Sequence, residues 1–298
     1  MSTSAHPRAA SVEETDAARA VVVGVDGSER NHAAVDYAIE EAAVDGRPLT
    51  LLAVLDDYTI PIPHHSVVPE DERQWRVLNR IADEVRRENP DVTVRRRVEF
   101  GGTVSTLVEQ SADQELLVVG KRGLGAFARL MVGSTSVGVA GRAPVPVVIV
   151  PDGWRQSVHN REPVAVGLDP RDRNEATLRF AFTQAQRRGV GVTVVHALDI
   201  SPSLVWDPVL GGPAYWEGRR LESVEKSVEP FREEFPDVPV EGHDVHGHPS
   251  GVLLDESVGA QLLVLGRHHE GIAGFEIGSV ARGVLHYAEV PVAVVPAV

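Results

Sequence analysis

The residues best suited to chemistry lie in one stretch, Gly120-Lys-Arg-Gly123-Leu-Gly-Ala-Phe-Ala-Arg129-Leu-Met-Val-Gly133-Ser134-Thr135-Ser136. Glycines let a backbone approach a ligand closely. Ser134 to Ser136 supply hydroxyls, and the first turn of a helix offers unpaired N–H groups and a dipole that favours anions. Lys121, Arg122 and Arg129 place positive charge in an otherwise acidic chain. Together these are the properties of a phosphate cradle. The plainer alternative is a tight connection in which the glycines only turn the chain and Ser134 caps a helix. Neither a Gly-x-x-x-x-Gly-Lys-Ser/Thr loop nor a Gly-x-Gly-x-x-Gly turn after the first strand is present.

Other chemistries find little support. No Gly-x-Ser-x-Gly elbow occurs, and Ser28 and Ser136 have no base partner evident in the sequence. Asp56 and Asp57 are adjacent in an extended segment, where neighbouring side chains point apart. His243, His246, His248, His268 and His269 show no metal-ligand spacing and read as solvated or hydrogen-bonded loop residues. The chain has no cysteine, which excludes a disulfide scaffold, thiolate metal ligation and a cysteine nucleophile.

The elements that must position the loop follow from length and repetition. At 298 residues the chain lies near the limit of about 250–300 for one hydrophobic core, so two domains are expected. The net charge of −14 argues against nucleic acid and anionic membranes as partners. No apolar stretch approaches the roughly 20 residues that cross a bilayer, and residues 1–18 read as a polar, disordered tail on a cytoplasmic protein. Val21-Val-Val-Gly-Val-Asp26 recurs as Val164-Ala-Val-Gly-Leu-Asp169, 143 residues on. The same displacement carries Val35, Ala38, Ile39 and Ala42 onto Leu178, Ala181, Phe182 and Ala185, one face of a helix in each case. Leu116–Gly120 and Val145–Val150 likewise recur as Leu262–Gly266 and Val290–Val295. The chain is a tandem duplication.

Within the first copy, strands are expected near 20–26, 49–56, 93–100, 115–120 and 145–150, and helices near 30–45, 70–89, 103–112 and 134–142. Trp75, Leu78, Ala82 and Val85 mark the buried side of the second helix, with Leu221, Val224, Val228 and Phe231 as their counterparts. Strands apolar on both faces, alternating with helices, imply a doubly wound α/β domain with a five-stranded, mainly parallel sheet in each copy. Residues 19–150 and 163–298 are the expected domains, and the polar segment 151–162 the linker between them. Pro146 and Pro291 place the last strand of each copy at a sheet edge or at its own start. Such an apolar strand is either paired within its own sheet or is where the two copies meet.

The pattern Gly120, two residues, Gly123, nine residues, Gly133, Ser134, together with Val22-Val-Gly-Val-Asp-Gly-Ser28, resembles the universal stress protein family in its tandem, two-domain actinobacterial form. The similarity covers both copies, roughly residues 19–298. It implies ATP binding and a Rossmann-like fold of the adenine nucleotide α-hydrolase kind. By that resemblance Gly24, Val25 and Asp26 hold the adenine and ribose side, and Val54 lies against the base. Gly120, Lys121, Arg122 and Gly123 approach the ribose and phosphates, and Gly133, Ser134, Thr135 and Ser136 the phosphates. The alternative for Asp26 is an Asx turn with Gly27 and Ser28. The second copy keeps Gly167, Asp169, Gly266, Gly278, Ser279 and Val280, but has His269 where the second glycine belongs and Pro170-Arg171 in place of Gly-Ser. A nucleotide site there stays open.

The expected function is ATP-dependent regulation in stress or dormancy, with Mg²⁺ arriving only with ATP. An ATP pyrophosphatase, adenylyl transferase or weak ATPase on the same fold, and an interaction module with a vestigial cleft, are the competing readings. The Ser-Gly-Gly-x-Asp-Ser loop and His-x-Gly-His signature of such enzymes are absent. An intrachain pseudo-dimer of the copies, and a homodimer of chains, are expected from the family resemblance.

Overall fold

The computed structural model describes residues 18–55, 70–123, 132–155, 159, 161–169, 174–198, 224–267 and 277–297. Residues 1–17 of the expected tail, Asp56 and Asp57, Arg129, Pro170-Arg171, Leu221 and His268-His269 lie outside them.

Uninterrupted Val and Leu runs form the central strands. In the first copy these are β1 (Val21–Gly24), β2 (Leu49–Leu55), β4 (Leu116–Gly120) and β5 (Val147–Val150), with the more polar β3 (Val94–Phe100) outside them. Around them lie α1 (His32–Val44), α2 (Glu70–Glu88), α3 (Thr103–Ser111) and α4 (Ser134–Arg142). The second copy repeats the series as β6 (Val164–Gly167), α5 (Glu175–Arg188), β7 (Val192–Leu198), α6 (224–234), β8 (Val240–His246), α7 (Pro249–Glu256), β9 (Leu262–Arg267), α8 (Ser279–Tyr287) and β10 (Val292–Pro296). The face Val35, Ala38 and Ala42 of α1, like Leu178, Ala181, Phe182 and Ala185 of α5, is buried. Leu78, Ala82 and Val85 bury as expected, whereas Trp75, one turn earlier on the same face, remains 38% exposed.

The strands make one ten-stranded sheet in the order β3-β2-β1-β4-β5-β10-β9-β6-β7-β8. Every neighbouring pair is parallel except β5 with β10, which run antiparallel in the register Val147↔Val294, Val148↔Ala293 and Ile149↔Val292. The copies therefore meet through their last strands, and each relieves the other's apolar edge. Pro146 and Pro291 stand just before these strands and use only their carbonyls, which accept from the Leu117 and Leu263 N–H groups at 3.0 and 2.9 Å. The outer edges are charged: β3 carries Arg95, Arg96 and Arg97, and β8 carries Glu241 and Asp244.

A second layer joins α1 to α5. Arg188 donates to Glu41, to the Tyr37 hydroxyl at 3.0 Å and to the Gln184 carbonyl at 3.2 Å, and its side chain is 9% exposed, as is that of Glu41. Arg187 pairs with Asp45 at 3.0 Å, which Arg47 also reaches at 3.0 Å. The segment after β5 is packed: Trp154 is buried and stacks on His159 at 4.3 Å, and His159 Nδ1 lies 3.0 Å from the Gly259 carbonyl.

Removing one partner of a buried ion pair strands the other. Arg188→Ala should therefore cost about 3–5 kcal/mol in urea denaturation. On the solvent side of α1, partial burial, then the charges of Asp36 and Glu41, push the Glu40 carboxyl up from 4.5 to about 7, with Arg188 pulling the other way. The folded state thus binds this proton more tightly than the unfolded chain. Its stabilising contribution is complete below about 4.5 and is lost as pH rises through 7. Glu40→Gln should gain stability over the wild type as pH goes from 5 to 8, and an equal stability difference at both ends of that range would contradict this.

Candidate functional site

Because β1 lies between β2 and β4, the chain reverses direction across the sheet there, and a crevice opens at the carboxyl ends of these strands. A cavity of about 340 Å³ occupies it. Its apolar wall comprises Val25, Leu52, Val54, Leu107 and Val119; its polar rim comprises Asp26, Arg30, Asn31, Gln74, Thr103 and Arg122; and Gly24, Gly120, Gly123 and Gly133 to Ser136 supply backbone.

Asp26 makes the Asx-type turn. Oδ1 accepts the Ser28 N–H at 2.9 Å across a turn in which Gly27 takes φ +78°, the left-handed conformation that favours glycine. Oδ2 faces Gly123, where an added Cβ would stand 2.5 Å from it. Gly123 is glycine because the carboxylate occupies the space a side chain would need.

The α4 end of the cleft is held by its own backbone. The Gly133 N–H donates to the Lys121 carbonyl at 2.8 Å, and Gly133, in extended conformation, caps the helix with no side-chain capping bond. Ser134 is thus the first helical residue and not the cap. Ser136 is buried and donates its hydroxyl proton to the Gly120 carbonyl at 2.8 Å, so it braces the loop. The N–H groups of Ser134, Thr135 and Ser136 have no acceptor within the helix and lie at the cleft.

Two cations behave differently from the sequence expectation. Lys121 does not line the cavity: its ammonium crosses to the second copy and donates to the Ala288 carbonyl at 2.8 Å. Burial, and then the charge of Arg122, holds it below its ordinary pKa, with Asp152 and Glu289 opposing. Arg122 does line the cavity, but pairs with Asp152 at 2.8 Å, beside Arg30 at 3.9 Å from the same carboxylate. Much of the expected positive charge is therefore already matched within the protein.

Sequence reasoning missed Asn31, Gln74 and Asp152. Asn31 is 5% exposed, donates to the Gly24 carbonyl at 3.0 Å and lines the cavity. Its signal was available, since Asn174 stands at the same 143-residue displacement. Asp152 was hidden because it falls in the segment read as linker.

The second copy brings its residues to matching places with different detail. A Cβ on Gly167 would meet Leu253 and Leu265, both at 2.9 Å, as one on Gly24 would meet Leu107 at 3.3 Å and Val119 at 3.5 Å. Gly278 opens α8 in the extended conformation that Gly133 adopts before α4, followed by Ser279 and Val280. Gly266 is hemmed in by Thr177 Oγ1, 2.9 Å from its Cβ position. The Asn174 carboxamide bonds both ways to the Asp169 backbone, donating at 2.5 Å and accepting at 3.4 Å. Among the described residues, no group of three or more His, Asp or Glu could hold a metal ion, and no helix is long and apolar enough to cross a membrane.

A doubly wound fold, duplicated and joined edge to edge with a glycine-lined crevice at its switch point, defines the class. The universal stress protein family matches residues 18–151 and 160–296, and the chain belongs to it. A universal stress protein of Mycobacterium tuberculosis is 35% identical over 284 residues, covering 92% of this chain and 96% of the relative. One from Mycolicibacterium smegmatis is 32% identical over 290 residues, with the same coverages. The crystal structure of a universal stress protein from Archaeoglobus fulgidus superposes with a TM-score of 0.65 at 18% identity, covering 93% of this chain and 96% of that one, which is a likeness of fold.

Gly123→Ala must displace the Asp26 carboxylate and with it the Ser28 hydrogen bond. The expected cost is about 1 kcal/mol of stability in denaturant unfolding, and a variant crystal structure with the turn unchanged would contradict the account.

Proposed function

We propose that the first copy binds ATP in this crevice and that the protein is a nucleotide-responsive regulator of stress or dormancy physiology, not an enzyme. The observation that carries the reading is the joining, in one cavity, of an apolar slot (Val25, Leu52, Val54, Val119), a carboxylate, and a backbone cradle from Gly120 to Gly123 and the start of α4. The slot suits a purine base. Asp26 Oδ2 suits ribose hydroxyls, and the α4 N–H groups suit phosphate oxygens. The cavity volume of about 340 Å³ falls within the range of small-molecule sites. When present, Mg²⁺ would enter with ATP, held mainly by phosphate oxygens.

Binding without turnover is proposed because the sequence carries no Gly-x-Ser-x-Gly elbow, Ser-Gly-Gly-x-Asp-Ser loop or His-x-Gly-His signature. The net charge of −14 disfavours nucleic acid and membrane surfaces as partners. A cytoplasmic homodimer, each chain holding two copies in one sheet, completes the proposal. ATP would act by favouring one arrangement of the glycine loop and so shifting the population of conformers presented to a partner.

Titration calorimetry with Mg·ATP tests the reading. Saturable binding at micromolar to millimolar levels is expected. Gly123→Val should abolish it, and Asp26→Ala should weaken it by about tenfold, the loss of one charged hydrogen bond. Silence of the wild type at millimolar nucleotide, or hydrolysis near about 10 per second, the enzyme median, would refute it.

A further inference from the structure

The residue that follows each strand-end glycine does the same thing in both copies, and it does it to the other copy. Lys121 Nζ donates to the Ala288 carbonyl at 2.8 Å, and Arg267 Nη1 donates to the Ala143 carbonyl at 2.7 Å. Ala143 and Ala288 are the C-caps of α4 and α8. Those helices begin at Ser134 and Ser279, next to their N-cap glycines, Gly133 and Gly278. Each cation also sits where a helix dipole is negative.

Lys121 is a junction in its own copy as well. Its N–H donates to the Val150 carbonyl of β5 at 2.7 Å, and its carbonyl accepts the N–H of Gly133, the N-cap of α4. Helix α4 is thereby held at its N-cap by Lys121 and, ten residues away, at its C-cap by Arg267 of the second copy. That distance is about 15 Å of rigid rod.

We propose that Lys121 and Arg267 form a reciprocal latch that couples the two copies, each cation positioning the C-cap of the helix, α8 or α4, that begins at the other copy's Gly278 or Gly133. The coupling to ligand rests on the nucleotide reading above; the latch itself does not. Lys121, which the family resemblance would set near the phosphates, turns its ammonium away from the cavity. Both are positioning residues.

The test uses the full chain as wild type, Arg267→Met and Lys121→Met, with Arg267→Lys and Lys121→Arg as conservative controls. Amide hydrogen exchange is followed without nucleotide and Mg·ATP affinity by calorimetry. Arg267→Met should speed exchange in α4 from Val137 to Ala143 and weaken ATP binding in the first copy by about three- to tenfold, in the range of measured coupling effects. Lys121→Met should speed exchange in α8 from Arg282 to Ala288. The conservative variants should restore both readouts. Should either Met variant fail to fold, Arg267→Gln and Lys121→Gln take its place. Unchanged exchange in the distant helix, or exchange that changes while ATP affinity stays within twofold, overturns the coupling. A wild type silent to ATP whose variants still show the exchange changes refutes the nucleotide reading and upholds the latch.

Discussion

The antiparallel pairing of β5 with β10 is the constraint on which the rest of the molecule depends. Both strands are buried along their whole length, so neither could face solvent as a free edge without exposing a row of Val and Ile side chains and unpaired amides. Pairing them with each other satisfies the amides and makes one sheet from two. It also decides which helices face one another. The α1–α5 layer, with Arg188 buried between Glu41 and Tyr37, can exist only because the seam brings these helices into contact. The same holds for the paired contacts of Lys121 and Arg267 with the C-caps of α8 and α4.

The crevice in the first copy joins side chains from the strands and helices to the main chain of the glycine positions. Its shape depends on places where a side chain is missing, above all Gly123, whose absent Cβ makes room for the Asp26 carboxylate. Its charge is nearly balanced, with Arg122 and Arg30 set against Asp152 and Asp26. A cavity of that kind selects by contour and by the direction of its N–H groups more than by net field, and so suits a ligand with an apolar plane at one end and anionic oxygens at the other.

Much of this was legible in the residues. The duplication, the central strands, the helix faces and the glycine loop all declare themselves because hydrophobic periodicity and repeat register are local properties of a chain. The joining of the copies was legible only as one of two options, since Pro146 and Pro291 say where a strand can begin and not what it pairs with. The direction of Lys121 was not legible: its neighbours in sequence belong to the loop, while its acceptor, Ala288, lies 167 residues away. Asp152 was missed for a related reason, because a polar stretch between domains looks like a tether when its packing partners are distant. The second copy shows where spelling and structure part. Asn174 repeats Asn31, yet its carboxamide is closed onto the Asp169 backbone, whereas Asn31 bonds Gly24.

With the inner edges spent on each other, the sheet ends at β3 and β8. Three consecutive arginines stand along one rim, and Glu241 and Asp244 along the other. Two like rims brought side by side would repel, whereas the arginine rim of one molecule and the acidic rim of another would attract. The charges thus discourage symmetric growth of the sheet, β3 against β3 or β8 against β8.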